Sequence, residues 1–177
     1  MAWYTICTII AATIYFVYNV IALAKFGVPK SLSNTYYLYK EQAEWKRFLF
    51  PVMMVSMAFL LMPAWLDISE GSNWQFTAFL AAAGIIFVGA APGFKDNDLT
   101  RKVHESSAIL AAVAAIAWVC LVAQMWYVVV AWAVLVVAAA LLTKTFKKAL
   151  IYWLETIAFM ATFTSILIYE IILEIVI

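Results

Sequence analysis

Apolar runs of membrane-crossing length recur from one end of this chain to the other, and they limit its fold more than any other feature. A helix needs about 20 predominantly apolar residues to cross ~30 Å of hydrocarbon. The first such run is MAWYTICTIIAATIYFVYNVIALA. Composition agrees: 68% of the 177 residues are hydrophobic and only 12% are charged, whereas a soluble chain is about a quarter charged. These proportions exclude a soluble domain. The net charge of +1 says nothing about nucleic acid, and no basic segment alternates with aromatics outside the apolar runs, so no nucleic-acid partner is expected. No positive charge precedes the first run, and it is longer than a signal-peptide core, so it is expected to be a retained helix. Cys7 and Cys120 show no metal-type spacing and no disulfide framework. Both fall inside expected spans and read as small apolar residues.

The fold expected is all-α: a single domain over residues 1–177, a polytopic bundle of six transmembrane helices. The spans are residues 2–24, 48–66, 74–92, 103–123, 126–142 and 149–169. Residues 107–143 are too many for one span, and Gln124 is their one polar break, so Gln124-Met125-Trp126 is read as a tight turn. Pro51 and Pro63 are read as starting or stopping the second helix. All 11 Lys and Arg fall in the first, third and fifth loops: Lys25, Lys30, Lys40, Lys46 and Arg47, then Lys95, Arg101 and Lys102, then Lys144, Lys147 and Lys148. The positive-inside rule makes those loops cytoplasmic and puts both termini outside the cytoplasm. Trp3, Trp65, Trp74 and Trp126 at outer span ends, with Trp45 and Trp153 at inner ends, read as interfacial belts. The small-residue stretches AAAGIIFVGAAPG and AILAAVAAIA place the third and fourth spans at the centre of the bundle.

Polar groups inside a membrane are costly, so their positions carry information. Asn19, Ser31, Ser33, Asn34, Tyr36, Tyr37, Asp96, Asp98, His104 and Glu155 all belong to the expected cytoplasmic ends. If the helices bundle closely, they converge on one inward-facing vestibule. Candidate catalytic residues are His104, Glu155 and Ser33; candidate ligand-binding residues are Asn19, Ser31, Tyr36 and Asp96. Plainer roles compete. Ser31 or Ser33 caps a short interfacial helix, Asp98 or Thr100 caps the fourth span, and Asn19 makes an interhelical hydrogen bond. Glu155 needs a partner or a proton, and snorkelling Lys147 or Lys148 is the structural alternative. Glu170 and Glu174 are expected to face extracellular water. With one His and no adjacent Cys, neither a metal site nor a cofactor is expected.

Ser31-Leu32-Ser33, Gly89-Ala90-Ala91-Pro92 and His104-Glu105-Ser106-Ser107-Ala108 occur in that order. The pattern resembles a bacterial family of six-helix membrane proteins of unassigned function. More distantly, the Ser, acidic and His order looks like the superfamily of alkaline ceramidases and the progestin and adiponectin receptors. That likeness implies zinc-dependent lipid hydrolysis, with Ser33, Asp67 or Asp96, and His104 as nearest matches. Those families carry three histidines and this chain has one, with Asp67 expected on the face opposite His104.

Three functions are therefore open. The first is a lipid- or partner-binding membrane protein with a polar cytoplasmic-side cluster. The second is a membrane-embedded hydrolase of lipid amides or esters, and the third a small proton-linked transporter using Glu155. The expected setting is a bacterial inner membrane. Its partners there are the bilayer, anionic headgroups at the basic face, and a second copy or another membrane protein.

Overall fold

The structure is a computed structural model that describes residues 3–176, with side chains to residue 172. It is 80% helix, with no strand among the described residues. Seven α-helices run in order: α1 Trp3–Phe26, α2 Thr35–Gln42, α3 Leu49–Ile68, α4 Phe76–Ala90, α5 Asp98–Leu121, α6 Trp126–Leu142 and α7 Leu150–Val176. A 3₁₀ turn, Glu44–Phe48, leads into α3. Four segments are long and apolar enough to cross a membrane: Trp3–Phe26, Glu44–Ile68, Asp98–Leu121 and Leu150–Ile172. The other two apolar helices, α4 and α6, have 15 and 17 residues. At 1.5 Å per residue they reach roughly 22 and 26 Å, short of the ~30 Å hydrocarbon thickness.

Helix ends differ from the apolar pattern wherever caps decide. Gly27, at φ +69°, stops α1 two residues beyond its expected end and donates to the Leu23 carbonyl at 2.9 Å. The expected 74–92 span starts later, because the residues before it form a turn in which the Trp74 N–H donates to Ser72 Oγ. It stops at Ala90, where Pro92 forces the preceding backbone out of the helical region. Helix α5 starts at Asp98 rather than 103, because Asn97 Oδ1 accepts from the Thr100 N–H at 2.7 Å. Neither Asp98 nor Thr100 is the cap. Pro63 does not stop α3, which continues to Ile68. Helix α7 runs past 169 to Val176. Gln124, in the left-handed region at φ 55°, makes the expected tight turn into α6 at Trp126.

The helices alternate in direction. The segments 27–48, 91–97 and 143–149 lie at one end of the bundle, and 69–75 and 122–125 at the other. Every Lys and Arg is near the first, or basic, end. Helix α1 packs on α3, α3 on α4, α4 on α5, α5 on α7, and α7 returns to α1, closing a ring. Helix α6 stands outside the ring against α7 and the edge of α5. The inward faces carry Phe50, Met57, Leu61, Trp65 and Trp118, all buried. Large apolar side chains such as Phe59, Ile109, Val113 and Val134 point outward and are exposed. The tightest contact is between α4 and α5, where a Cβ on Gly84 would lie 2.7 Å from the Ala111 backbone nitrogen. Trp65 is not an interfacial belt residue, since it is 1% exposed inside the ring. At the far end its neighbour Trp118 donates from Nε1 to Ser69 Oγ at 2.7 Å. Glu170 does not face water either: it is 6% exposed and lies against the Tyr4 hydroxyl. The side chain of Glu174 lies outside the described residues.

Candidate functional site

The polar groups at the basic end do not share one vestibule. They form three local arrangements.

The first joins α1, α7 and the segment between α1 and α2. Tyr4, Thr8, Ala11, Tyr15, Tyr18, Asn19 and Ala22 recur at helical spacing and form the buried face of α1. Asn19 donates from Nδ2 to the Tyr15 carbonyl at 2.9 Å, and its Oδ1 accepts from the Tyr152 hydroxyl on α7 at 3.1 Å. That is the interhelical role expected for it. Tyr15 donates to Thr156 Oγ1 at 3.4 Å. The Tyr152 backbone N–H donates to the Lys30 carbonyl at 3.2 Å, which ties the connector to the first turn of α7. Two residues on, the Leu32 N–H donates to Glu155 Oε2 at 2.7 Å. The partner of Glu155 is thus a backbone amide. Neither Lys147 nor Lys148 pairs with it, and among the described residues it has no ion pair. Replacing Tyr152 by Phe leaves Asn19 Oδ1 without its donor. Interhelical hydrogen bonds in lipid average ~0.6 kcal/mol and reach ~2, so Tyr152→Phe is expected to lower stability by that amount in mixed-detergent unfolding.

The second arrangement is the serine turn. Ser31 and Ser33 hydroxyls bond each other at 2.9 Å, and the Asn34 N–H donates to Ser31 Oγ at 3.1 Å. Ser31 therefore braces the turn ahead of α2; the residue at the cap position, Asn34, makes no side-chain cap bond. Thr35 Oγ1 donates to the Leu32 carbonyl and shares a hydrogen bond with the Tyr18 hydroxyl. Leu32 is consequently held by its N–H, by its carbonyl and by burial to 2% exposure. Tyr36 is buried edge-on to Tyr37.

The third gathers around the segment between α4 and α5. The Lys95 N–H donates to the Tyr37 hydroxyl at 2.7 Å, and Lys95 Nζ donates to Asn34 Oδ1 at 3.0 Å while standing 4.2 Å from the Tyr37 ring centroid. Burial pushes the Tyr37 phenol up and the Lys95 N–H draws it back. Asp96 is exposed beside them. His104 is 4% exposed, with Nδ1 2.9 Å from the Ala91 carbonyl and its ring stacked on Phe94 at 4.6 Å. No hydrogen bond links His104, Glu155 and Ser33 to one another. No group of three or more His, Cys, Asp or Glu among the described residues is placed to hold a metal ion.

Glu155 and Leu32 line a crevice inside the ring. Phe50, Met54, Leu61 and Trp65 of α3 form one wall, and Ala108, Ala111, Ala112 and Ala115 of α5 another. Ile85 and Val88 of α4 and Ala158, Phe159 and Thr162 of α7 complete it. From Phe50 to Trp65 the crevice runs roughly 22 Å along α3. It offers about 40 Å³ to the centres of water molecules and is partly open to the outside. It is long, slender and apolar, with one carboxylate. At the far end the Trp65 indole N–H has no hydrogen-bond partner among the described residues.

Sequence reasoning singled out Glu155 and Asn19 but missed Tyr15, Tyr152, Leu32 and Trp65. The recurrence of Tyr and Thr along one face of α1 was the available signal for Tyr15. No family model matches the chain, and no curated protein or solved structure is significantly similar to it.

Proposed function

We propose that the chain is a six-span integral membrane protein of a bacterial inner membrane, one domain with both termini outside the cytoplasm, that holds a single apolar chain of lipid origin inside its helix ring. Segregation of every Lys and Arg to one end of the bundle supports the six-span reading and the orientation. The large apolar side chains on the outer faces suit a lipid surrounding. Helices α4 and α6 cross as short spans, by local thinning of the bilayer. The basic first loop, with Lys25, Lys30, Lys40, Lys46 and Arg47, lies at the headgroups of anionic lipids.

The crevice between Leu32 and Trp65 carries the functional reading. Its length exceeds the ~15 Å of hydrocarbon that one leaflet provides. Its walls are apolar, which suits an alkyl chain better than a column of water. Binding is favoured over hydrolysis because His104 is engaged with Ala91 and Phe94 and shares no hydrogen bond with Glu155 or Ser33. Ala112→Phe would fill the crevice from the α5 wall. Native mass spectrometry of the wild type after delipidation should retain one chain-sized adduct per protein, and the Ala112→Phe variant should lose it. A folded wild type with no adduct before or after addition of hexadecanol, hexadecylamine and palmitate in turn would overturn the proposal.

A further inference from the structure

Glu155 sets the chemistry that the crevice can accept. Its Oε2 takes the Leu32 N–H, and no Lys, Arg or His among the described residues pairs with it. The nearby lysines, Lys147 and Lys148, form no ion pair with it, and Lys30 contributes a backbone carbonyl to Tyr152. A carboxylate on an apolar wall with one amide donor and no counter-cation is incomplete as a charge. The donors close by, the hydroxyls of Tyr152 and Thr156, are already spent on Asn19 and on the Tyr152 carbonyl. Glu155, which needs a cation or a proton there, is therefore also the one ionisable side chain lining an apolar crevice.

From this we infer that the occupant is a single-chain amphiphile with a protonated amine head, its ammonium on Glu155 and its alkyl chain running toward Trp65. This rests on the proposal that the crevice holds a chain, and it adds the head group. The ammonium supplies the missing counter-charge and donates charge-assisted hydrogen bonds, the strong kind in a dry site. The crevice offers only about 40 Å³ to the centres of water molecules, which favours one chain with a small cationic head. An anionic head would meet the carboxylate with like charge, and an alcohol would leave it without a cation.

Native mass spectrometry of the full-length protein in detergent, titrated separately with hexadecylamine, hexadecanol and palmitate, tests this. Hexadecylamine is expected to bind one to one and roughly tenfold or more tighter than hexadecanol, the factor given by one charge-assisted contact. Palmitate is expected to bind weakest. Glu155→Gln keeps the shape and the Leu32 acceptor, so it should still bind hexadecanol while losing the preference for the amine. The wild-type series alone is decisive if that variant does not fold. Equal binding of amine and alcohol, or tightest binding of palmitate, would overturn the inference and leave the chain-binding proposal standing. So would an amine preference that survives in Glu155→Gln. No binding of any of the three overturns the chain-binding proposal itself.

Discussion

Gly84→Leu is expected to abolish the folded protein. Gly84 is where α4 and α5 approach most closely, and a Cβ there would stand 2.7 Å from the Ala111 nitrogen and 2.8 Å from both the Ala111 Cβ and the Ser107 carbonyl oxygen. Two of those atoms are backbone of α5, so no rotamer change relieves the overlap; the helices must separate. Overpacking by a methylene or two costs about 1–3 kcal/mol where side chains can adjust. Gly84→Ala is therefore expected at or above the top of that range, and the branched side chain of Leu well beyond it. Small residues matter more in lipid than in water, because close backbone approach replaces much of the hydrophobic driving force. Gly89→Ala is the internal comparison: its Cβ would meet Met54 Cβ and Val55 Cγ2 at 3.2 Å and the Pro51 carbonyl oxygen at 3.4 Å, an overlap of a few tenths of an ångström rather than a clash below 3 Å. Thermal unfolding with size-exclusion in detergent should rank wild type above Gly89→Ala, then Gly84→Ala, with no monodisperse Gly84→Leu. Equal stability of both alanine variants would contradict this packing.

Trp118→Ala is the second large effect. Trp118 is fully buried, packs against Trp65, and closes the far end of the ring through its bond to Ser69. Truncating a buried Trp costs about 3–5 kcal/mol in transfer and cavity terms. Shedding apolar area into lipid weakens the transfer term, so the lower half of that range is expected, from lost contacts. Trp118→Phe keeps most of the volume and loses the Nε1 bond to Ser69. It should cost about 0.6–2 kcal/mol, the worth of a hydrogen bond between helices in lipid. Mixed-detergent unfolding of the two variants separates packing from hydrogen bonding.

Much of this architecture was legible in the chain. Long apolar runs marked the helices, and Gln124 marked the turn before Trp126 correctly because a single polar residue there has no other use. The start of α5 was misjudged because Asp98 to Lys102 is polar. Hydropathy reports burial in lipid, whereas Asn97 capping Thr100 decides where a helix begins. Asn19 was readable as an interhelical contact because an amide in an apolar helix must find one. Glu155 was readable as needing a partner, but the partner was not. Leu32 supplies a backbone N–H, a group every residue but proline carries, from 123 positions away in the chain. Glu170 looked solvent-facing because it follows the last expected span, yet α7 continues and buries it beside Tyr4. The crevice itself was invisible in sequence, since Ala108, Ala112 and Ala115 leave room only relative to Phe50, Met54 and Trp65 across the ring.

An experimental density map of the protein purified into nanodiscs tests whether the ring interior between Leu32 and Trp65 holds one apolar chain with its head at Glu155. A continuous tube of density is expected along the α3 wall from Phe50 to Trp65, ending in contact with the Glu155 carboxylate while the Leu32 N–H stays on Oε2. A collapsed crevice, with Glu155 turned to Lys147 or Lys148 and no density between α3 and α5, would contradict it.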